Sequence, residues 1–163
     1  RRARVLFTAT RMSWQLDGAD WEQLNRVART HEIGMAISHK HFNRHSAYLL
    51  RNADLPGFSQ EEQEQLAVLA LGHRGKLDQA ILADIAEADR PRILRLVVIL
   101  RLAALLKYVE KLEQLPDFTI QASENLLTLD FPENWLQQHP LTAAELDSEK
   151  NALEKLAITL SVS

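Results

Sequence analysis

Five of the six histidines in this chain, His31, His39, His41, His45 and His73, fall in its first half. Imidazole is the commonest side-chain metal ligand and titrates near neutral pH, so any chemistry is sought here first. Three readings fit the residue types. In the first, His31-Glu32 offers a nitrogen and an oxygen ligand from adjacent positions, and a metal-bound water attacks a phosphate ester. That site needs three or four converging protein ligands and one open position. In the second, the histidines join Lys40, Arg44, Arg74, Lys76 and Arg101 to bind an anion, with arginine forks gripping phosphate oxygens in pairs and lysines acting as point charges. In the third, the stretch is a solvated loop with one or two hydrogen-bonded core histidines. Arg101 bears on the choice because it lies in Leu100-Arg101-Leu102, inside the most apolar segment. A charge there is costly without a partner or a wet cleft. It either pairs internally, with Glu32 or Asp54 as candidates, or meets an anion.

The elements that position these residues read as mostly helical. Val5 to Leu16 is expected to be helix, closed at Asp17-Gly18. Asp20 then caps a helix with Gln23 as its capping-box partner. Leu24, Val27 and Ala28 give that helix an apolar stripe, and it delivers His31-Glu32 at its end, just before Gly34. Ser38 to His45 reads as loop, Ser46 to Asn52 as a short helix and Asp54 to Phe58 as a turn. Ser59 and Glu62 form a capping box for a helix with Leu66, Leu69 and Ala70 inward, ending near Gly72-His73. Asp78 to Glu87 is expected to be helical. Arg92 to Glu110, apolar on nearly every side, predicts a central buried helix. Beyond Pro116 the pattern changes. Phe118 to Gln121 and Leu126 to Phe131 read as strands around a Ser123-Glu124-Asn125 turn. A short helix follows around Trp135, then a helix from Thr142 to about Lys155, then a strand within Ala157 to Val162. The fold class is mainly α, with a domain over residues 1–115 and a small α+β subdomain of about three strands over 116–163.

Composition narrows the function. The 163 residues are 46% hydrophobic and 25% charged, as in ordinary globular chains. The net charge of −3 means that any anion site must come from local clustering. Cysteine is absent, which excludes disulfides and thiolate metal sites and fits a reducing, cytoplasmic setting. The apolar run Leu96 to Leu100 is cut by Arg101, far short of the roughly 20 residues of a membrane helix. No signal peptide is read. None of the five glycines stands in a GxxxxGK[ST] or GxGxxG phosphate loop. The chain starts at Arg1-Arg2-Ala3-Arg4, already in a helical pattern and without an initiator Met, and reads as a fragment of a longer protein.

Three runs are more specific: Thr30-His31-Glu32-Ile33-Gly34, Asn43-Arg44-His45-Ser46-Ala47-Tyr48-Leu49-Leu50 and Asn52-Ala53-Asp54-Leu55-Pro56-Gly57-Phe58. Together they strongly resemble the C-terminal region of the exopolyphosphatase / guanosine pentaphosphate phosphohydrolase family. Gly72-His73-Arg74, Leu100-Arg101-Leu102 and the late Phe131-Pro132-x-x-Trp135 fall where that family continues, and the resemblance covers roughly residues 5–162. It implies a longer protein whose N-terminal actin-like domains carry the phosphate loops, the catalytic carboxylate and magnesium, none of them in this chain. The region present is then an HD-like helical domain with a small annex, which extends a polyphosphate channel and supports a homodimer.

The HD metal pattern requires an upstream His, a His-Asp pair and a distal Asp. No His precedes His31, Glu32 replaces the Asp of the pair, and Ala104 stands at the distal position. The resemblance therefore implies no catalytic residue and no working metal site here, with His31-Glu32 as a degenerate pair. The expected ligand is inorganic polyphosphate or guanosine pentaphosphate, not a specific nucleic acid or a membrane. The expected phosphate contacts are Arg44, His45, Arg74, Lys76 and Arg101, with Lys40 and His41 weaker. A residual metal-dependent phosphohydrolase acting on guanosine polyphosphates and a purely structural dimerisation domain are the alternatives.

Overall fold

The computed structural model describes residues 2–37, 42–54, 56–73, 75 and 78–163, with the side chains of residues 28–37 and 42–46 outside that description. It is mainly helical with one small sheet, as expected. The chain groups into two compact units, Asp17–Arg101 and a second made of Arg1–Leu16 with Leu102–Ser163. The composition change near Pro116 divides the chain differently, because it does not register where α1 and the second half of α5 make their contacts. None of the described helices is long and apolar enough to cross a membrane.

In the continuous unit, α2 (Gly18–Ile37) begins one turn earlier than Asp20 suggests. The backbone N–H of Asp17 donates to Asp20 Oδ2 at 2.9 Å, and the N–H of Asp20 donates to Asp17 Oδ1 at 3.0 Å. Asp17 is therefore the cap and Asp20 its reciprocal partner in the first turn, which leaves Gln23 for other bonds. The helix also does not stop at His31-Glu32. It runs through Gly34, since one interior glycine costs only about 1 kcal/mol.

Capping gives Asp17 a pH signature. The Asp20 backbone N–H, followed by the Asp20 side chain, the Ala19 N–H and the charge of Arg92, hold its carboxyl below the ordinary aspartate range against the opposing effect of burial. Its folded pKa is depressed, so its contribution is complete above the unfolded value and is lost as pH falls through the folded one. Asp17→Asn is expected to flatten the acid limb of a stability-versus-pH curve below about pH 4, read by urea unfolding at successive pH values.

Helix α3 (Phe42–Asn52) starts four residues before the expected Ser46, so Phe42 to His45 are helical rather than loop. Nothing in Phe42-Asn43-Arg44-His45 breaks a helix, and Ala47 and Leu50 bury one face. Residues 38–41 lie outside the described chain. Helix α4 (Gln60–Gly72) has the expected capping box: the N–H of Glu62 donates to Ser59 Oγ at 3.0 Å, and the N–H of Ser59 donates to Glu62 Oε1. Gln63 Nε2 closes the end of α3, donating to the carbonyls of Ala53 at 2.7 Å and Leu50 at 3.2 Å. Arg51 grips Glu64 with Nε and Nη2, both at 2.9 Å.

The expected helix over Asp78 to Glu87 is instead two short 3-10 turns, Gln79–Leu82 and Glu87–Asp89. Leu82 and Ile85, three residues apart, are both buried, a spacing that matches three residues per turn. Helix α5 (Arg90–Glu110) starts with Pro91 in its first turn, where the missing N–H costs nothing. It buries Ile93, Leu96 to Leu102, Leu106 and Val109.

In the discontinuous unit, α1 (Arg2–Thr10) ends earlier than the expected Leu16. Thr10 Oγ1 donates back to the Leu6 carbonyl at 2.8 Å, and residues 11–15 turn, with Gln15 at φ 55°. The turn places Trp14 in the core, where its Nε1–H donates to the Ser123 carbonyl at 2.7 Å. Strands β1 (Thr119–Ser123) and β2 (Leu126–Asp130) form an antiparallel hairpin. After α6 (Trp135–Gln138) and α7 (Pro140–Glu154), β3 (Thr159–Val162) pairs parallel to β2, giving the order β1-β2-β3. Leu127, Leu129 and Leu160 point into the core, where α7 contributes Thr142, Leu146, Glu149 and Leu153.

The chain leaves α7 through a Schellman turn. The N–H of Ile158 bonds the Leu153 carbonyl at 3.1 Å, the N–H of Ala157 bonds the Glu154 carbonyl at 3.0 Å, and Ala157 is left-handed at φ 59°. Leu153 and Ile158 supply the apolar contact of this motif. An L-residue with a Cβ is strained there, so Ala157→Gly should stabilise by about 0.5–1 kcal/mol, seen as a higher urea midpoint at unchanged m-value.

Candidate anion-binding site

Of the expected phosphate contacts, Arg101 is the one whose side chain the structure describes. Its guanidinium is buried, and Nη1 donates to the Gly72 carbonyl at 3.1 Å. That carbonyl belongs to the last residue of α4, where helix carbonyls lack intrahelical partners and partial negative charge collects. A cation from α5 therefore holds the end of α4. Space at Gly72 is tight: a Cβ there would meet Val97 Cγ1 at 3.1 Å and Ile81 Cδ1 at 3.3 Å. Of the two internal partners considered for Arg101, Asp54 is exposed and Glu32 lies outside the described side chains.

His73, directly after α4, is also buried, and its Nδ1–H donates to the Ala70 carbonyl at 2.8 Å. The bond fixes the ring against the helix end. Gly75 follows at φ 81°, a left-handed position suited to glycine. Arg74 and Lys76 flank it in sequence and lie outside the described residues, as do Lys40 and His41. His31 and Glu32 on α2, and Arg44 and His45 on α3, are placed at the level of the backbone only. Among the described residues no group of three or more His, Asp or Glu is placed to hold a metal ion.

The strongest polar cluster was not singled out from the sequence. Arg92 Nη1 donates to Asp20 Oδ1 at 2.8 Å and Gln23 Oε1 at 2.7 Å, and Nη2 donates to Gln65 Oε1 at 3.1 Å. Gln23 Nε2 donates to the same Gln65 oxygen at 2.8 Å, and Asp89 Oδ1 stands 3.5 Å from Arg92 Nη2. One guanidinium thus ties together the starts of α2 and α5 and the middle of α4. The available signal was Gln65, a polar residue within the apolar run of α4 that has to be matched if buried. With Asp20, Gln23, Gln65 and Asp89 around one guanidinium, Arg92 serves as a tie among these helices.

The chain thus holds a helical unit and a small α/β unit built on a hairpin and one parallel crossover. Residues 1–150 match the family model of the Ppx/GppA phosphatase, domain III. The chain belongs to that family. It is 38% identical over 139 residues to a guanosine-5'-triphosphate,3'-diphosphate pyrophosphatase of Pseudoalteromonas translucida (strain TAC 125). The match covers 85% of this chain but 28% of the relative, so the chain spans little more than a quarter of that protein's length.

Proposed function

We propose that this chain is a non-catalytic accessory region of a cytoplasmic exopolyphosphatase-type phosphatase. It holds the phosphate chain of inorganic polyphosphate or of a guanosine pentaphosphate through Arg44, His45, Arg74, Lys76 and Arg101, with Lys40 and His41 contributing less, and it supports a homodimer. The helical unit is an HD-like domain with a degenerate metal pair at His31-Glu32. Phosphoanhydride hydrolysis, with its magnesium, belongs to the rest of the longer protein. The name of the Pseudoalteromonas relative supports the substrate class. The observation that carries the reading is the Arg101–Gly72 bond, which anchors a buried guanidinium directly before the basic segment His73-Arg74-Gly75-Lys76.

Retention of the 163-residue chain on immobilised polyphosphate tests this. Binding should weaken steeply with salt, the log–log slope falling by about 0.7–0.9 per phosphate contact removed if polyphosphate behaves as a nucleic-acid backbone does. Arg44→Ala with Arg101→Ala should elute at clearly lower salt. Because Arg101 is buried, Arg74→Ala with Lys76→Ala serves as a second variant independent of core packing. Unchanged elution of both folded double variants would refute the assignment.

A further inference from the structure

The sheet has two outer strands, β1 and β3. Helix α1 packs against β1. On β3, the N–H of Thr159 donates to the Asn125 carbonyl at 2.7 Å and that of Ser163 to the Leu129 carbonyl at 3.0 Å. Successive strand residues turn their peptide groups to opposite sides, so the N–H and C=O of Leu160 and Val162 face away from β2. No backbone bond from another element reaches them among the described residues. Natural sheets guard such an edge with a lysine, a proline, a bulge or a cover. Thr159-Leu160-Ser161-Val162 carries neither lysine nor proline, and its register against β2 runs without a bulge.

An open depression of about 420 Å³ accompanies this edge. Of the three strands only β3 lines it, through Val162, so it lies along the outer side of the sheet. Its other walls are Leu136 of α6 and one flank of α7 with Ala143, Asp147 and Lys150. Asp147 and Lys150 are exposed and lie three residues apart, on the same side of the helix. Neither has an ion-pair partner among the described residues. The free edge is thus bordered by one unspent negative and one unspent positive charge.

Both features complement themselves. A twofold axis beside β3 and perpendicular to the sheet sets two β3 strands antiparallel, and the outward donors and acceptors of Leu160 and Val162 then meet those of the second copy. Thr159 and Ser161, exposed on the sheet face, bring no charge to the axis. The same axis faces the two α7 flanks with opposed directions, so Asp147 of each copy stands against Lys150 of the other. An unrelated strand would satisfy the backbone groups but would match these charges only by coincidence. We infer that the outer edge of β3 and the Asp147–Lys150 flank of α7 form a self-association surface, and that its occupant is a second copy of this chain. The proposed function asks that the chain support a homodimer; this inference rests on that part of the reading and names the surface. Four residues make a short edge, so the contact belongs with small, transient interfaces, with a Kd in the micromolar range or weaker.

Sedimentation velocity of the 163-residue chain, from micromolar to submillimolar concentration, tests the inference. The native chain should shift from monomer to dimer as concentration rises. Asp147→Lys leaves two positive flanks facing each other and Lys150→Asp two negative ones, so each variant alone should associate about tenfold more weakly or worse. Mixed in equal amounts, the two variants should dimerise again, a recovery that a merely structural role for either residue would not produce. Val162→Pro removes an outward N–H and leaves the bonds to β2 in place, so it should also stay monomeric. A native chain that is monomeric throughout would overturn the proposal. So would a native chain that remains monomeric while its Leu160 and Val162 amide signals shift with an unrelated extended peptide, which would make the edge a peptide site. Dimers that ignore both charge reversals, or variants that fail to recover on mixing, would overturn the surface and leave the homodimer reading standing. Polyphosphate retention reports on residues that all precede residue 102, so its failure is seen separately.

Discussion

Trp14→Ala is expected to cost about 3–5 kcal/mol, the range for truncating a large buried aromatic. Trp14 is among the largest fully buried side chains of the chain and is 1% exposed. Its loss leaves a void between the turn after α1 and the sheet, and removes the indole N–H bond that ties the chain to the end of β1. Trp14→Phe should fall well below this cost, because it keeps most of the packing and gives up only the hydrogen bond, worth about 1 kcal/mol net. Urea unfolding of the three proteins checks the order. An alanine variant no less stable than the phenylalanine variant would show that the buried ring contributes no packing energy.

Arg92→Met is expected to cost about 2–3 kcal/mol. Asp20 is 2% exposed and would lose its guanidinium partner, although the Asp17 N–H remains bonded to it. Removing one member of a fully buried pair costs about 3–5 kcal/mol. The Arg92 side chain is 30% exposed, so solvent screening places the value below that range. Arg92→Met with Asp20→Asn should recover part of the loss, since no uncompensated charge then remains. A double-mutant cycle read by thermal and urea unfolding measures that recovery, and strict additivity of the two costs would mean that the pair does not interact.

Much of this was legible in the sequence. The apolar density of Ile93 to Leu106 announced the central helix, Ser59 and Glu62 announced the start of α4, and the alternation in Leu126 to Phe131 announced a strand. Boundaries failed where two residues competed for one role. Asp17 and Asp20 can each cap a helix, and the choice depends on a reciprocal bond that the spacing alone does not rank. Gly34 looked like a stop but accepts a helical backbone. The 3-10 turns around Leu82 and Ile85 were read as α-helix because a three-residue spacing fits both.

Arg101 was legible as an anomaly, an arginine within an apolar helix, but its anchor was not. The Gly72 carbonyl is a backbone group 29 residues away, and backbone acceptors leave no mark in a sequence. The Arg92 network escaped for a similar reason, since its partners Asp20 and Gln23 on α2 and Gln65 on α4 converge on α5 only in three dimensions. Phe131 and Trp135, whose rings stack, were visible as a motif, but His139 joins that stack through a bond to the Trp135 carbonyl four residues back.

The bond from Trp14 to Ser123 spans 109 residues, and this bears on how the protein is made. At about 5–20 residues per second, the ribosome releases α1 and Trp14 roughly 5–20 seconds before β1 exists to receive them. Asp17–Arg101 is one continuous stretch and can complete its fold during that interval. Residues 2–16, with Leu6, Phe7 and Trp14 still uncovered, wait as an apolar segment of the nascent chain. Slow synthesis across residues 17–118 should therefore expose this segment to chaperones and to aggregation more than slowing elsewhere would.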